Sequence, residues 1–279
     1  MTLPVLAALV LAGAPQGAPP AGIHWERNFD LALKRAKQEQ KPLFVDFWAP
    51  WCGWCHRLDE TTYVDPEVVR LSKDFVPVKV NTEGGRNETL VALRYSVSEL
   101  PTIEFLSPSG RSILRLQGFQ GPGQFPQAMS QARDSAKDVL SWEAALDKNS
   151  KDPEALTKLG LYLFEQEAYE DSRDLLVQAV RSDADRPVGE RKRVRMVLAT
   201  IRQYERRFPD AETLLKQALE LKPPGADEAQ LLYMLGRTYK AWGRLDRARP
   251  VLEEVVRAYP ESPFAQRAQE TLVSIDRAR

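Results

Sequence analysis

The chain has 279 residues, with 39 Lys plus Arg balanced by 39 Asp plus Glu. That length allows roughly two domains and a sizeable core, and the zero net charge argues against a nucleic-acid-binding protein, which shows a basic excess or stripe. Only two cysteines are present, so a structural disulfide framework is excluded and any sulfur chemistry is confined to one place.

The N-terminus opens on a short apolar run, Thr2 to Ala14, followed by a loose linker, Pro15 to Gly22. A dozen or so apolar residues fall short of the ~20 needed to span a bilayer. The run fits the apolar core of a secretory signal, with Ala12-Gly13-Ala14 as a small-residue cleavage site. It departs from that pattern in two ways: no Lys or Arg precedes it, and Pro15 follows the cleavage site directly. Residues 1–22 are read as signal peptide and linker, and the protein as periplasmic or otherwise exported.

Residues 23–137 alternate strands and helices. Asn28 caps a helix with Phe29, Ala32, Leu33 and Ala36 on its apolar face, and Lys41-Pro42 stops it. Leu43 to Trp48 is a short run rich in β-formers, the pattern of a buried strand. WCGWCH, residues 51–56, follows, and a helix should continue towards Thr61. Asp65-Pro66 is an N-cap with proline at the first helical position. Phe75 to Val80 reads as a second strand, and Asn87 as the cap of the next helix. Leu100-Pro101-Thr102 leads into a strand, Ser107 to Gly110 is a turn, and the following segment is the paired strand. Gln124 to Ala136 is the last helix. The sum is βαβ followed by ββα.

Residues 138–279 show helical repeats. Segments opening at Asp152, Arg191 and Asp227 align, with Ala211 on Ala248, Leu215 on Leu252 and Pro223 on Pro260 at a spacing of 37. Leu159-Gly160 and Leu235-Gly236 recur 76 residues apart. Small residues, among them Gly160, Gly236, Ala179, Ala211, Ala218 and Ala248, mark places where two helices approach closely. These units resemble tetratricopeptide repeats, best matched by Leu235, Gly236, Tyr239, Ala248 and Pro260. Pro263 to Arg277 would be the polar capping helix that such stacks require. No Gly/Pro linker separates the halves, which implies a stiff junction.

The chemistry centres on Cys52 and Cys55. C-x-x-C is the spacing of a redox pair, and C-x-x-C-H is also the pattern that attaches a c-type haem, with His56 as iron ligand. Haem would want a second axial ligand; His24, Met129, Met196 and Met234 are the candidates. For the redox reading, a cysteine at a helix N-terminus faces unpaired N–H groups and the positive dipole end, which favour thiolate over thiol. Cys52 occupies that place and would attack a substrate disulfide, and Cys55, one turn on, would resolve the mixed disulfide. Asp46 is a lone carboxylate in a buried strand and calls for a partner, for which Lys79 in the neighbouring strand is the candidate.

The stretch VDFWAPWCGWC, residues 45–55, resembles the active-site segment of the thioredoxin superfamily. The order of KPLFVDFW, NTEG, LPTIEFLSPSG and GFQGPGQF resembles the C-terminal thioredoxin-like domain of DsbD-type membrane reductases. The resemblance implies an α/β thioredoxin fold ahead of an all-α, tetratricopeptide-like domain. It implies catalytic roles for Cys52 and Cys55, a proton-moving role for Asp46 with Lys79 beside it, and a cis Pro101 that guides extended substrate. Trp51, Gly53, Trp54 and Leu100 would contact substrate, and Gly53-Trp54 departs from the Gly-Pro of ordinary thioredoxins. His56 either steadies a thiolate or simply points outward. No cofactor and no metal are expected.

The function expected is protein thiol–disulfide exchange. Its partners would be disulfide-containing protein substrates, a thiol protein or membrane reductase as electron donor, and a protein or peptide in the repeat groove, with no nucleic acid. The basic stretch Arg186 to Arg207 reads either as a groove for an acidic partner or as a solvated helix face. The competing whole-chain reading is an interaction scaffold whose thioredoxin domain recognises without catalysing.

Overall fold

The structure, a computed structural model, describes residues 22–182, 184–223 and 227–277. The proposed signal peptide lies outside the described residues.

Helix α1 (Phe29–Glu39) starts where the Asn28 side chain accepts from the Leu31 N–H. It buries Phe29, Ala32 and Ala36 and leaves Leu33 half-buried. Strand β1 (Leu43–Trp48) is apolar throughout except for Asp46, and it becomes central in a four-stranded sheet of order β2-β1-β3-β4. Strand β2 (Val76–Asn81) lies parallel to β1, with Asp46 opposite Lys79. Strand β3 (Thr102–Leu106) runs antiparallel to β1, and β4 (Ser112–Gln117) antiparallel to β3.

The chain leaves β1 into α2 (Gly53–Arg57), which widens into a π-helical turn, Leu58–Thr62. Helix α3 (Pro66–Ser72) is capped by Asp65, whose carboxylate accepts from the Glu67 and Val68 N–H groups. Helix α4 (Arg86–Arg94) differs from the sequence expectation at its start. Gly85, not Asn87, occupies the N-cap, at φ 144°, a backbone region that disfavours a side chain. Asn87 thereby falls inside the first turn.

Helix α5 (Phe125–Lys148) is continuous over 24 residues and crosses residues 137 and 138 without interruption. Its N-terminal half packs on the sheet through Phe125 and Met129. Three antiparallel helix pairs follow: α6 (Pro153–Glu165) with α7 (Tyr169–Arg181), α8 (Val188–Tyr204) with α9 (Phe208–Glu220), and α10 (Glu228–Ala241) with α11 (Leu245–Ala258). Helix α12 (Pro263–Asp276) ends the stack. Each pair turns on a residue of positive φ, namely Glu167, Arg206 and Gly243. Each lies two residues after the first helix of its pair and two before the second, one geometry repeated, although only the third unit uses glycine there.

The L-G dipeptides explain how the first and third pairs close. A Cβ built on Gly160 would lie 2.5 Å from Leu176 Cδ2, and one on Gly236 would lie 2.6 Å from Leu252 Cδ2. Glycine is required for that helix–helix distance. The second unit begins at Val188, behind Pro187, three residues ahead of the expected Arg191, because proline is tolerated at a helix start.

One hydrophobic core crosses the junction. Phe44, Phe105, Ile113 and Phe125 of the α/β part share it with Leu156, Leu159, Leu163 and Leu175 of the first helix pair. The Tyr162 hydroxyl donates to the Ile113 carbonyl at 2.5 Å, so α6 covers the β4 edge of the sheet. Glu143 of α5 accepts from Ser107, Ser109 and Arg111 of the β3–β4 turn.

The basic stretch of α8 is largely neutralised within the chain. Arg186 pairs with Glu190, Arg193 with Glu165, Arg202 with Glu205 and Arg207 with Asp210, and buried Lys192 lies 3.6 Å from Asp227.

Candidate redox site

The site lies where β1 ends. The turn after Trp48 is held by the Cys52 N–H donating to Ala49 O at 3.0 Å. Cys52 is the N-cap of α2 in extended backbone, and its Sγ accepts from the Cys55 N–H at 3.1 Å. The N–H groups of Cys55 and His56 also converge on the Cys52 carbonyl. Cys52 and Cys55 are joined by a disulfide with Cα atoms 5.3 Å apart. On reduction, the same N–H and the helix dipole would face a Cys52 thiolate. Cys55 is 1% exposed, whereas flanking Trp51 and Trp54 are 67% and 63% exposed.

Other sequence-derived candidates reach the same end of the sheet. The Leu100–Pro101 bond is cis, and the Pro101 carbonyl accepts from the Gly118 N–H at 2.9 Å. Leu100 is half-buried against the cluster formed by α1, β1, β2 and α4. Gly53 is exposed, with open space where a Cβ would stand. The His56 ring lies against the backbone, its Nε2 2.8 Å from the Pro50 carbonyl, so that nitrogen carries the proton.

Asp46 is completely buried beneath this turn. Its carboxylate lies 3.1 Å from Lys79 Nζ, with the buried Tyr63 hydroxyl beside it. Burial pushes the Asp46 carboxyl above the usual carboxylate range, opposed by the Lys79 charge. Burial and the Asp46 charge raise the Tyr63 phenol well above its ordinary value.

Sequence reading missed what surrounds Lys79. The ammonium group faces the rings of Trp25, Trp48 and Tyr63 at 5.2, 5.6 and 5.3 Å. It also bonds the half-exposed Asp59 carboxylate, so one lysine bridges a buried and a solvated acid. Asp59 sits four residues after Cys55, a helical spacing that could have drawn notice. Trp25 carried no local signal, since it precedes the first helix. Two further contacts also escaped: the Trp51 indole N–H donates to Glu83 at 2.7 Å, and Trp54 packs on Phe119 with ring centres 5.5 Å apart.

A second buried acid, Glu104 of β3, pairs with Arg115 at 2.7 Å and accepts from Ser112. Burial raises its carboxyl also. Its partners are on β4, and Arg115 in turn donates to the Tyr95 carbonyl at the end of α4.

The family profile described as a thioredoxin-like domain matches residues 29–133, the segment that contains this sheet and the cysteine pair. Residues 29–133 are a thioredoxin-like domain. Two tetratricopeptide-repeat profiles match residues 133–187 and 193–261, so this domain is followed by tetratricopeptide repeats. The thioredoxin-like domain is similar to part of the thiol:disulfide interchange protein DsbD of Vibrio vulnificus, 34% identical over 103 residues, or 36% of this chain and 17% of that protein. It is also similar to part of human spermatogenesis-associated protein 20, 32% identical over 124 residues, or 42% of this chain and 15% of that protein. Among solved structures, the oxidised DsbD C-terminal domain of Neisseria meningitidis is matched at 23% identity and a TM-score of 0.33, covering 37% of this chain and 90% of that one. The chain thus spans about a sixth of the length of the curated relatives it matches. Among the described residues, no helix is long and apolar enough to cross a membrane.

Proposed function

We propose that the protein is a thiol–disulfide oxidoreductase that reduces or exchanges disulfides in exported proteins, with its repeats docking partners. The observation that carries this reading is the Cys52–Cys55 disulfide at a helix N-terminus, its outer sulfur capped by the Cys55 N–H and its inner one sealed from water.

In the reduced protein, the Cys52 thiolate attacks one sulfur of a substrate disulfide, forming a mixed disulfide and releasing a substrate thiolate. Cys55, giving up its proton, then attacks Cys52 Sγ. The substrate leaves as a dithiol and the protein as the disulfide. Asp46 is the group beneath the turn suited to take the Cys55 proton, because burial raises its affinity for one. Lys79 keeps the carboxylate tolerable when that proton is lost. The cis Pro101 and Leu100 would align the substrate strand, and Trp51, Gly53 and Trp54 would border it. Two electrons from a donor thiol protein, such as a membrane reductase, would restore the dithiol. Export is supported by the apolar run at Thr2 to Ala14. Haem attachment is disfavoured because the two sulfurs are bonded to each other and the His56 ring is engaged by Pro50.

An insulin-reduction assay with dithiothreitol tests the reading. The unaltered protein should accelerate precipitation, Cys52→Ser should abolish it, and Cys55→Ser should accumulate mixed disulfides on Cys52. A protein with no activity whose Cys52→Ser variant still binds partners would be a scaffold instead.

A further inference from the structure

Strand β4 is the outer strand of the sheet, and α6 bonds its backbone only near the start, where the Tyr162 hydroxyl takes the Ile113 carbonyl. Further along, the Gly118 N–H bonds the Pro101 carbonyl, and the register sets Leu116 opposite Ile103 and Leu114 opposite Phe105. Antiparallel pairs alternate, so residues 114, 116 and 118 turn their backbone polar groups towards β3, whereas Arg115 and Gln117 turn theirs outward. The Gln117 carbonyl accepts from the Gln120 side chain at 3.2 Å. Among the described residues, the Arg115 N–H and C=O and the Gln117 N–H have no hydrogen-bond partner.

This open stretch faces the acidic turn between α6 and α7 across a cleft. Two cavities, of about 150 and 220 Å³, share Arg115 and Glu167 as walls. The smaller is also lined by Gln117 and Glu165, the larger by Tyr95, Ser96 and Tyr169. Helix α5 and the shared core fix the two walls relative to each other. In the larger cavity Arg115 is neutralised by Glu104, which leaves Arg94 against Glu167, Glu170 and Asp171. The Tyr169 ring lies 5.4 Å from that of Tyr204, which is 65% exposed. Acids in the first turn of α7 also suit the helix dipole, so they do not by themselves point to a ligand. The unpaired strand edge beside them does, because it is a template for another extended chain.

We propose that this cleft takes an extended, basic segment of a partner polypeptide, which pairs with β4 as a fifth strand and points alternate Lys or Arg side chains at the acidic turn. The sheet edge supplies the backbone pairing, and the α6–α7 turn supplies the charge. The rings of Tyr169 and Tyr204 offer a cationic head group a face to rest on. Pairing at this edge needs no sulfur, so it stands or falls separately from the exchange reaction.

The test measures fluorescence anisotropy of short dye-labelled peptides, blocked at both ends, on the oxidised full chain at low salt. One peptide alternates threonine with lysine, and a second carries glutamate in place of each lysine. The lysine peptide should bind about tenfold more tightly than the glutamate peptide. In the Glu167→Lys/Glu170→Lys variant that preference should reverse, an outcome that a partly unfolded preparation does not produce. Two further lysine peptides are N-methylated at every second residue, one at the lysines and one at the threonines. A chain paired on one side only should lose about tenfold in affinity in one phase and little in the other. No saturable binding of the lysine peptide, or equal affinity for lysine and glutamate peptides, would overturn the site. A preference unchanged in the charge-reversed variant would overturn its location. Methylation that weakens both phases equally, or neither, would overturn the pairing with β4.

Discussion

Lys79 Nζ stands 3.1 Å from the buried Asp46 carboxylate on the neighbouring strand, enclosed by the rings of Trp25, Trp48 and Tyr63. Asp46 nevertheless holds its proton more tightly in the folded chain than in the unfolded one, because desolvation outweighs the lysine. Stability from this group is therefore complete below the ordinary carboxylate range and is lost as pH rises through the raised folded value. Asp46→Asn mimics the protonated form and leaves Lys79 its second acid, Asp59. Urea unfolding should find it more stable than the unaltered protein at pH 8, by on the order of 1 kcal/mol, with the difference vanishing near pH 3. Glu104 titrates in the same direction in both proteins, so the difference isolates Asp46.

Removing the cation instead should do the opposite. Lys79→Met strands a buried carboxylate, and breaking a buried pair from one side costs roughly 3–5 kcal/mol. Denaturant midpoints at pH 7 should show that loss, a smaller one at pH 4, and substantial recovery in the Lys79→Met/Asp46→Asn double variant. Additive losses in the double variant would argue that the two residues do not act as a pair.

The helix pairs make a steric prediction. Gly236→Ala gains up to about 1 kcal/mol of intrinsic helix preference but drives a methyl to within 2.6 Å of Leu252 Cδ2. Overpacking of this kind costs roughly 1–3 kcal/mol. We expect net destabilisation, read as a lower thermal midpoint. In the Leu252→Ala background, the same change should become neutral or stabilising.

The shared core predicts coupled unfolding of the sheet and the first helix pair. Tyr162→Phe removes the donor to the Ile113 carbonyl at the covered sheet edge, worth about 1 kcal/mol. The loss should appear equally when unfolding is followed by near-ultraviolet signal from the thioredoxin-like domain and by far-ultraviolet helix signal. Two separated transitions, with only one shifted, would contradict a common core.

Much of this architecture was legible because its determinants are local. Asn28 and Asp65 announce their helices by side chains that reach only two or three residues ahead, and the apolar strand Leu43–Trp48 needs no partner to be recognised. The L-G positions of the repeats were equally plain, since the spacing that reveals them is the spacing that packs them. Asn87 misled because a glycine pair upstream could open the helix earlier, through a backbone conformation that a residue-type rule does not weigh.

By itself, the sequence determined the order of elements, the repeat period and the place of the cysteine pair at a helix start, all governed by neighbours a few residues apart. It also singled out Asp46 and Lys79 as one pair, because a lone acid in an apolar strand demands a counter-charge. Only the tertiary structure decided what joins them. The aromatic cage drawn from Trp25, Trp48 and Tyr63, the second acid Asp59, Phe119 against Trp54 and the helix laid over β4 all arise from contacts between distant segments. Such contacts exist only once burial has brought those segments together, and no local pattern encodes which surfaces will meet.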